Sequence, residues 1–433
     1  MPISRRAVVL AAGGVVGATL TGCGKTGGSS AWAEPAGGAG GSQTILPVTP
    51  ARPTVNASSA SASQVRAVLT KYLKPTPDNP KHPGYAGAVA HVLKDNRTLL
   101  TVNVGHALRY KAGPVELPAA QRVAMRTDSI FDLASITKVY TAILVLQLVD
   151  QGKVDLAAPV RRYLPEFTGA GKDKITVAML LAHTSALPVG AKVTGFSTNA
   201  QRWQSVMTTP LVKGGVPGTT FRYSSVGLMV LGRLVEKLAG KTLDKVLADR
   251  ITTPLGLKDT GFLPLKWVKD KSRLVATDAR SSRGLLRGTV HDDVANRLGG
   301  VAGHAGLFST AREVAVVGQM LLNGGTYGGK RILSAAVVAQ MLTNVNKGKP
   351  AVDAERPKRT ADHGLGVEMN QTWFMGRLAS ATAFGHTGFS GTSLLVVPAR
   401  KEVIVLLTNR AHPNWSWSNP DTHRVALHNT LAA

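Results

Sequence analysis

Ser135-Ile136-Thr137-Lys138 is the one place in the chain where a lysine has a serine three residues upstream. On a helix that spacing puts both side chains on one face, one turn apart. A serine hydroxyl is a weak nucleophile until a base takes its proton, and a desolvated lysine with a lowered pKa can act as that base or share the task. An almost wholly apolar run follows as far as Gly152. It reads as a buried helix closed by a glycine cap, with Ser135 in its first turn, where the helix N-terminus favours developing negative charge. Two further groups come in order. Tyr223-Ser224-Ser225 follows "VPGTTFR" and precedes an apolar helix, so Tyr223 sits on a loop at a helix start and can point into a cleft. His386-Thr387-Gly388 begins a strand run that would line one wall of that cleft. A lone S-x-x-K is a weak signal; the three groups together point to acyl transfer through a serine, which needs no metal and no cofactor.

Other chemistries find less support. No serine has glycines at both minus two and plus two, as a nucleophile elbow requires. His291-Asp292-Asp293 and His304 lack the spacing of a zinc hydrolase and read as hydrogen-bonded loop residues. "GGVAGHAG" has too many glycines for a helix interior, and serves either a close backbone approach or a tight turn. His183 in "LLAHTSALP" reads as structural, satisfied by nearby backbone. In "LTGCGKTGG", Gly24-Lys25-Thr26 is not a phosphate loop, because Thr19 stands where the Walker pattern needs glycine.

The elements that must position these groups come from both ends of the chain. "SQVRAVLTKYL" reads as an amphipathic helix with Val65, Val68, Leu69 and Tyr72 on one face. "YAGAVAHVLKDNRTLLTVNVGHAL" gives two strands around Asp95-Asn96, a hairpin, and "TAFGHTG", "TSLLVVPA" and "EVIVLLTN" give three more. Between them, from about residue 135 to 341, the patterns are mostly helical with Gly-rich loops. The expected class is α+β, an antiparallel sheet built from both chain ends with a helix-rich insertion beside it.

With these residues in place, the sequence resembles the class C β-lactamase, penicillin-binding protein and esterase family of serine hydrolases over roughly residues 65 to 430. That family's S-x-x-K, Y-x-N and K-T-G boxes correspond to Ser135–Lys138, Tyr223–Ser225 and His386–Gly388. "LLAHTSALP", "PLGLKDTGF" and "GGVAGHAGLFST" also look like segments of it. The resemblance implies a β-lactamase/transpeptidase-like fold and an acyl-enzyme on Ser135. Lys138 and Tyr223 would hold the protons, and the backbone N–H groups of Ser135 and Phe389 would form the oxyanion hole. Ser225, His386, Thr387 and Gly388 would bind a small-molecule or peptide substrate. A penicillin-binding or sensor protein without turnover is the rival on the same scaffold, and the presence of Ser135, Lys138 and Tyr223 together argues against it. Ser225 replaces the usual Asn and His386 the usual Lys. An unperturbed imidazole, near pKa ~6.5, is mostly neutral above pH 7. The expectation is therefore indifference to a substrate carboxylate, easing as pH falls toward 6.

The first residues carry an address. Ser4-Arg5-Arg6, the apolar "AVVLAAGGVVGATL" and small residues up to Cys23 read as an export signal, too short to span a bilayer comfortably, with an uncleaved membrane anchor beside a chance cysteine as the alternative. Leu20-Thr21-Gly22-Cys23 resembles a bacterial lipobox, and "SRRAVVL" a twin-arginine signal with Val8 where Phe is preferred. The expected organisation is a signal peptide over 1–23, a Gly, Ser, Ala and Pro-rich tether over 24–63, and a catalytic domain over 64–433. The expected location is the outer face of the cytoplasmic membrane, with a lipid anchor at Cys23. The 433 residues carry 51 Lys and Arg against 25 Asp and Glu, a formal net charge of +26, and a single cysteine, which rules out an internal disulfide. The basic residues are scattered and aromatics are few. This favours a solvated basic surface attracted to anionic headgroups or wall polymers over a nucleic-acid binder.

Overall fold

A computed structural model describes residues 59–357 and 359–433; the expected signal segment, Cys23 and most of the expected tether lie outside the described residues. Helix α1 (Ser59–Lys71) takes in the last five residues of the stretch expected to be tether. Ala and Ser cost a first helical turn little, so the helix anchored by buried Val65 and Leu69 extends upstream into them. Strands β1 (Gly87–Lys94) and β2 (Arg97–Leu108) follow. Asp95 and Asn96 between them have φ of 49° and 61°, the two-residue turn whose twist matches a hairpin. Short strands β3 (Val123–Ala124) and β4 (Phe131–Asp132) lead to helix α2 (Thr137–Asp150). Strand β5 (Phe221–Arg222) then precedes helix α3 (Ser225–Ala239). The short helix α4 (Asp293–Arg297), strand β6 (Leu307–Ser309) and helix α5 (Ala311–Leu322) come next. Strands β7 (Ala351–Val352), β8 (Glu368–Met369), β9 (Phe384–Thr387), β10 (Ser393–Val397) and β11 (Glu402–Thr408) precede the final helix α6 (Pro420–Leu431).

The main sheet has 7 strands in the order β8-β9-β10-β11-β1-β2-β3. Each neighbouring pair in it is antiparallel. β1 and β11, from opposite ends of the chain, lie side by side at its centre with Ala90 opposite Leu406. The sheet is buried on both faces, and the alternation of each strand decides which layer a residue joins. Val89 and Leu93, with Val403, Val405 and Leu407, face α2, α3 and α5. Ala88, Ala90 and Val92, with Ile404 and Leu406, face α1 and the C-terminal helix α6. Full burial of each such valine or leucine contributes roughly 1.5–3 kcal/mol, which holds a central strand as apolar as "EVIVLLT" between two layers. α2 is buried from Thr137 through Leu148, as its nearly unbroken apolar run requires.

Candidate active site

Ser135 belongs to a short 3₁₀ turn, Ala134–Ile136, that leads directly into α2. The residue before it, Ala134, has φ of 48°, a left-handed conformation that costs a non-glycine residue of order 1–3 kcal/mol. Asp132 holds it there, one carboxylate oxygen accepting the Ala134 N–H at 2.8 Å and the other the His291 N–H at 2.7 Å. The nucleophile's backbone is thus fixed by a buried side chain two residues upstream.

Lys138 is 1% exposed and its Nζ lies 2.9 Å from Ser135 Oγ and 3.0 Å from the His304 carbonyl. Burial pulls its pKa down to about 7, against the opposing pull of Asp292 and Glu368. A large fraction of it is therefore neutral at pH 7 and able to take the serine proton. The glycine-rich loop that presents the His304 carbonyl is stapled to α2, because Thr141 Oγ1 donates to the Gly303 carbonyl at 2.7 Å. Gly303 must be glycine: a Cβ there would clash with the Leu228 carbonyl and sit 3.0 Å from the backbone of Gly232 on α3. Both sequence readings of that loop are met, since it is a tight packing element and also brings backbone to the site.

Tyr223 sits between β5 and α3. Ser224 caps α3, its Oγ accepting the Gly227 N–H at 3.2 Å, and its own N–H donates to His183 Nδ1 at 3.1 Å. The His183 carbonyl accepts the Arg222 N–H at 2.8 Å and its ring packs 4.7 Å from the Tyr223 ring, so the structural reading of His183 stands. Lys138 Nζ lies 5.0 Å from the Tyr223 ring centroid. Burial raises the phenol pKa above its ordinary value, with the contact to Ser135 acting in the opposite sense. Tyr223 is therefore a protonated phenol at neutral pH.

The far wall is the turn after β9. Ser390 Oγ donates to the Asp132 carbonyl at 2.8 Å and Thr392 Oγ1 to the Leu133 carbonyl at 3.0 Å, which ties this turn to the segment just before Ser135. The carbonyls of Gly388 and Phe389 accept from Arg424 at 2.6 Å and Arg410 at 2.8 Å. Among the described residues the N–H groups of Ser135 and Phe389 have no hydrogen-bond partner, which leaves both free to receive an oxyanion. A cleft of about 480 Å³ opens here, lined by Ser135, Tyr223, Thr387, Gly388 and Phe389 among others.

Two expected substrate-binding residues do not line it. His386 is 1% exposed and its Nδ1 donates to the Thr387 carbonyl at 2.8 Å, while burial, Lys138 and nearby arginines push its pKa down to about 3. It stays neutral from pH 6 to pH 8, so the expected easing toward pH 6 does not follow from this ring. Ser225 is the first residue of α3 and donates its N–H to the Val189 carbonyl at 3.0 Å, outside the cleft lining. The cleft instead holds residues that the sequence reading passed over: Arg222, Arg356, Arg359, Glu368, Arg410 and Arg424. No motif marked them, because they come from β5, β8, α6 and loops far apart in sequence.

The family model described as Beta-lactamase matches residues 65–428. The chain belongs to the beta-lactamase family. This family member is a serine hydrolase of the penicillin-binding, class C-related type, with the α+β fold expected. It is 33% identical over 361 residues to a protein from Salmonella agona named "Putative D-alanyl-D-alanine carboxypeptidase", covering 76% of this chain and 80% of that one. Its fold is similar to that of EstCE1, a hydrolase with promiscuous acyltransferase activity (TM-score 0.65, 21% identity, 86% of this chain and 99% of that one). It is also similar to a penicillin-binding protein homologue from Caulobacter crescentus (TM-score 0.61, 19% identity, 87% and 98%).

Proposed function

We propose that this hydrolase cleaves amide or ester bonds in small peptides or related acyl substrates that carry a carboxylate, by way of an acyl-enzyme on Ser135. The observation that carries the reading is the 2.9 Å contact between Ser135 Oγ and a buried Lys138 whose pKa is lowered to about 7. Ser135 Oγ attacks the acyl carbon as Lys138 takes its proton, and the oxyanion forms between the Ser135 and Phe389 N–H groups. Tyr223, beside Ser135, relays the proton from Lys138 to the leaving group, which returns the lysine to its neutral form and leaves the phenol protonated. Water then repeats the sequence on the ester and frees Ser135.

The carboxylate preference rests on charge accounting in the cleft. Arg356 is paired with Asp421 at 2.9 Å, Arg359 with Glu368 at 2.8 Å and Asp353 at 3.0 Å, and Arg424 with Asp421 at 2.8 Å. Arg410 spends its donors on the carbonyls of Phe389, Trp415 and Ser418. Arg222, next to Tyr223 and opposite Val352 in the β5–β7 pair, is the lining arginine with neither kind of partner among the described residues. A substrate carboxylate would complete it. The name of the Salmonella agona relative agrees with such a substrate. Arg222→Gln is expected to lower kcat/KM for a D-alanyl peptide about tenfold or more, the scale of one lost charge-assisted hydrogen bond, and to leave a neutral ester within about twofold. Equal losses on both substrates, or none, would remove Arg222 from recognition.

The same reading places the protein on the outer face of the cytoplasmic membrane, with the tether leading from a lipidated Cys23. Supporting it are Leu20–Cys23 after a short apolar run and the net charge of +26, which suits anionic headgroups or wall polymers. In a bacterium with a lipoprotein pathway, mass spectrometry should find mature protein starting at diacylated Cys23, and Cys23→Ala should leave the membrane fraction. An exported chain with an unmodified Cys23 would refute the anchor.

A further inference from the structure

Two of the loop residues first weighed as metal ligands, Asp292 and His304, meet behind the catalytic lysine. Asp292 caps α4, its Oδ1 accepting the Ala295 N–H at 2.8 Å. The same oxygen lies 3.0 Å from His304 Nε2. A carboxylate only accepts, so Nε2 carries the ring proton, and Nδ1 is left buried without a partner. One residue holds both ends of the connection: the His304 ring bonds Asp292, and the His304 backbone carbonyl accepts from Lys138 Nζ at 3.0 Å. Thr141 fixes Gly303, and Thr137 Oγ1 accepts the Leu307 N–H at 3.2 Å, so this loop is pinned to α2 on both sides of His304.

We propose that Asp292 is a positioning residue for the acyl transfer: through His304 it seats the carbonyl that holds Lys138 Nζ against Ser135, and its fixed negative charge sets the pH at which Lys138 can act as a base. The inference rests on the acyl-enzyme reading given above. Its electrostatic half follows from what surrounds the ammonium. His183, His304 and His386 are neutral rings, their pKa values lowered chiefly by burial. Tyr223 is a protonated phenol. Glu368 faces the site from β8 with its charge offset by Arg359 at 2.8 Å. Asp292 faces it from the start of α4 with no cation in ion-pair contact among the described residues, its only salt-bridge contact being the neutral His304. It is also the first of the two acids that raise the Lys138 pKa against burial. Its own carboxyl is held below the ordinary range by His304, the Ala295 N–H and Lys138, although burial acts the other way, so it stays charged wherever the enzyme works.

The sign follows directly. Reaction at Ser135 needs neutral Lys138, so its rate rises with pH through the Lys138 pKa, near 7. Removing the Asp292 charge removes stabilisation of the ammonium, which lowers that pKa and moves the rising limb to lower pH. Asn and Ser both serve as helix caps, so Asp292→Asn and Asp292→Ser keep α4 closed while discarding the charge.

The test measures the rate at which a fluorescent phosphonate labels Ser135 from pH 5 to pH 9, in wild type and in both variants, with thermal melting to confirm the fold. The expected result is a midpoint near pH 7 in wild type and a midpoint about one unit lower in either variant, the scale on which one nearby buried charge moves a titration. If Asp292 were merely structural, labelling would fall by the same factor at every pH with the midpoint unmoved; that outcome, or a midpoint that rises, overturns the proposal. Absence of labelling at Ser135 in the wild type would instead refute the acyl-enzyme reading itself.

Discussion

Ser135→Ala is expected to abolish phosphonate labelling and to cut turnover by about six orders of magnitude, the scale seen when a serine hydrolase loses its nucleophile. The change removes one oxygen from a half-buried residue whose backbone is held by Asp132 and by the start of α2, so the fold should survive with its melting temperature within a few degrees. Lys138→Ala should lower turnover by about two orders of magnitude or more, because Ser135 then has no neighbouring base. That substitution also leaves the His304 carbonyl short of a donor, while relieving the cost of burying an ammonium. Tyr223→Phe keeps the ring that packs on His183 and removes only the proton carrier, and a similar loss is expected with little change in stability. Label on any serine other than Ser135, or near-normal turnover in any of the three folded variants, would take that residue out of its role.

The parts of the site that the sequence exposed were those whose chemistry is local. Ser135 and Lys138 are one helical turn apart, and the hydroxyl, the amine and the apolar run that buries them can be read without knowing what else packs there. Tyr223 and Thr387 became visible through order and resemblance. The hairpin at Asp95-Asn96 and the three C-terminal strands were legible for the same local reason, since alternation and turn residues define them. His386 shows where such reading stops. Its position in the third box suggested a titrating wall residue, but β9 is flanked by β8 and β10, and the side chain of that position enters the layer beneath the cleft. Whether an imidazole titrates near 6.5 or near 3 is decided by desolvation, which only the packed structure fixes. The arginines are the converse case. Arg222 from β5, Arg359 from a loop and Arg424 from α6 converge only after the two ends of the chain meet at β1 and β11, so no window of sequence could show their sum. The Asp292–His304 pair was legible as residues and not as a device, because the link to Lys138 runs through a backbone carbonyl that has no sequence signature.

Gly388→Ala is the smallest substitution expected to disable the site without touching a side chain that does chemistry. A Cβ at this position would run into Thr392 Oγ1 and the Leu133 carbonyl, two atoms bonded to each other at 3.0 Å, and would lie 3.3 Å from the Ala134 Cβ. Those contacts set the spacing between the turn that carries the Phe389 N–H and the turn that carries the Ser135 N–H. Restoring ordinary contact distances to both atoms takes a shift of about an ångström, which breaks the Thr392 bond and moves one oxyanion donor relative to the other. Because the donors bind charge that develops mainly in the transition state, the loss should appear in kcat more than in KM, at about two to three orders of magnitude. Stability should fall by about 2–4 kcal/mol, the scale of one hydrogen bond lost and one methyl overpacked. Steady-state kinetics on a neutral ester, compared with thermal melting of the same preparation, separates the two effects. A folded Gly388→Ala protein with kcat within a factor of about three of wild type would show that the Phe389 N–H does not stabilise the oxyanion. Unchanged kcat with a raised KM would assign this turn to substrate binding alone.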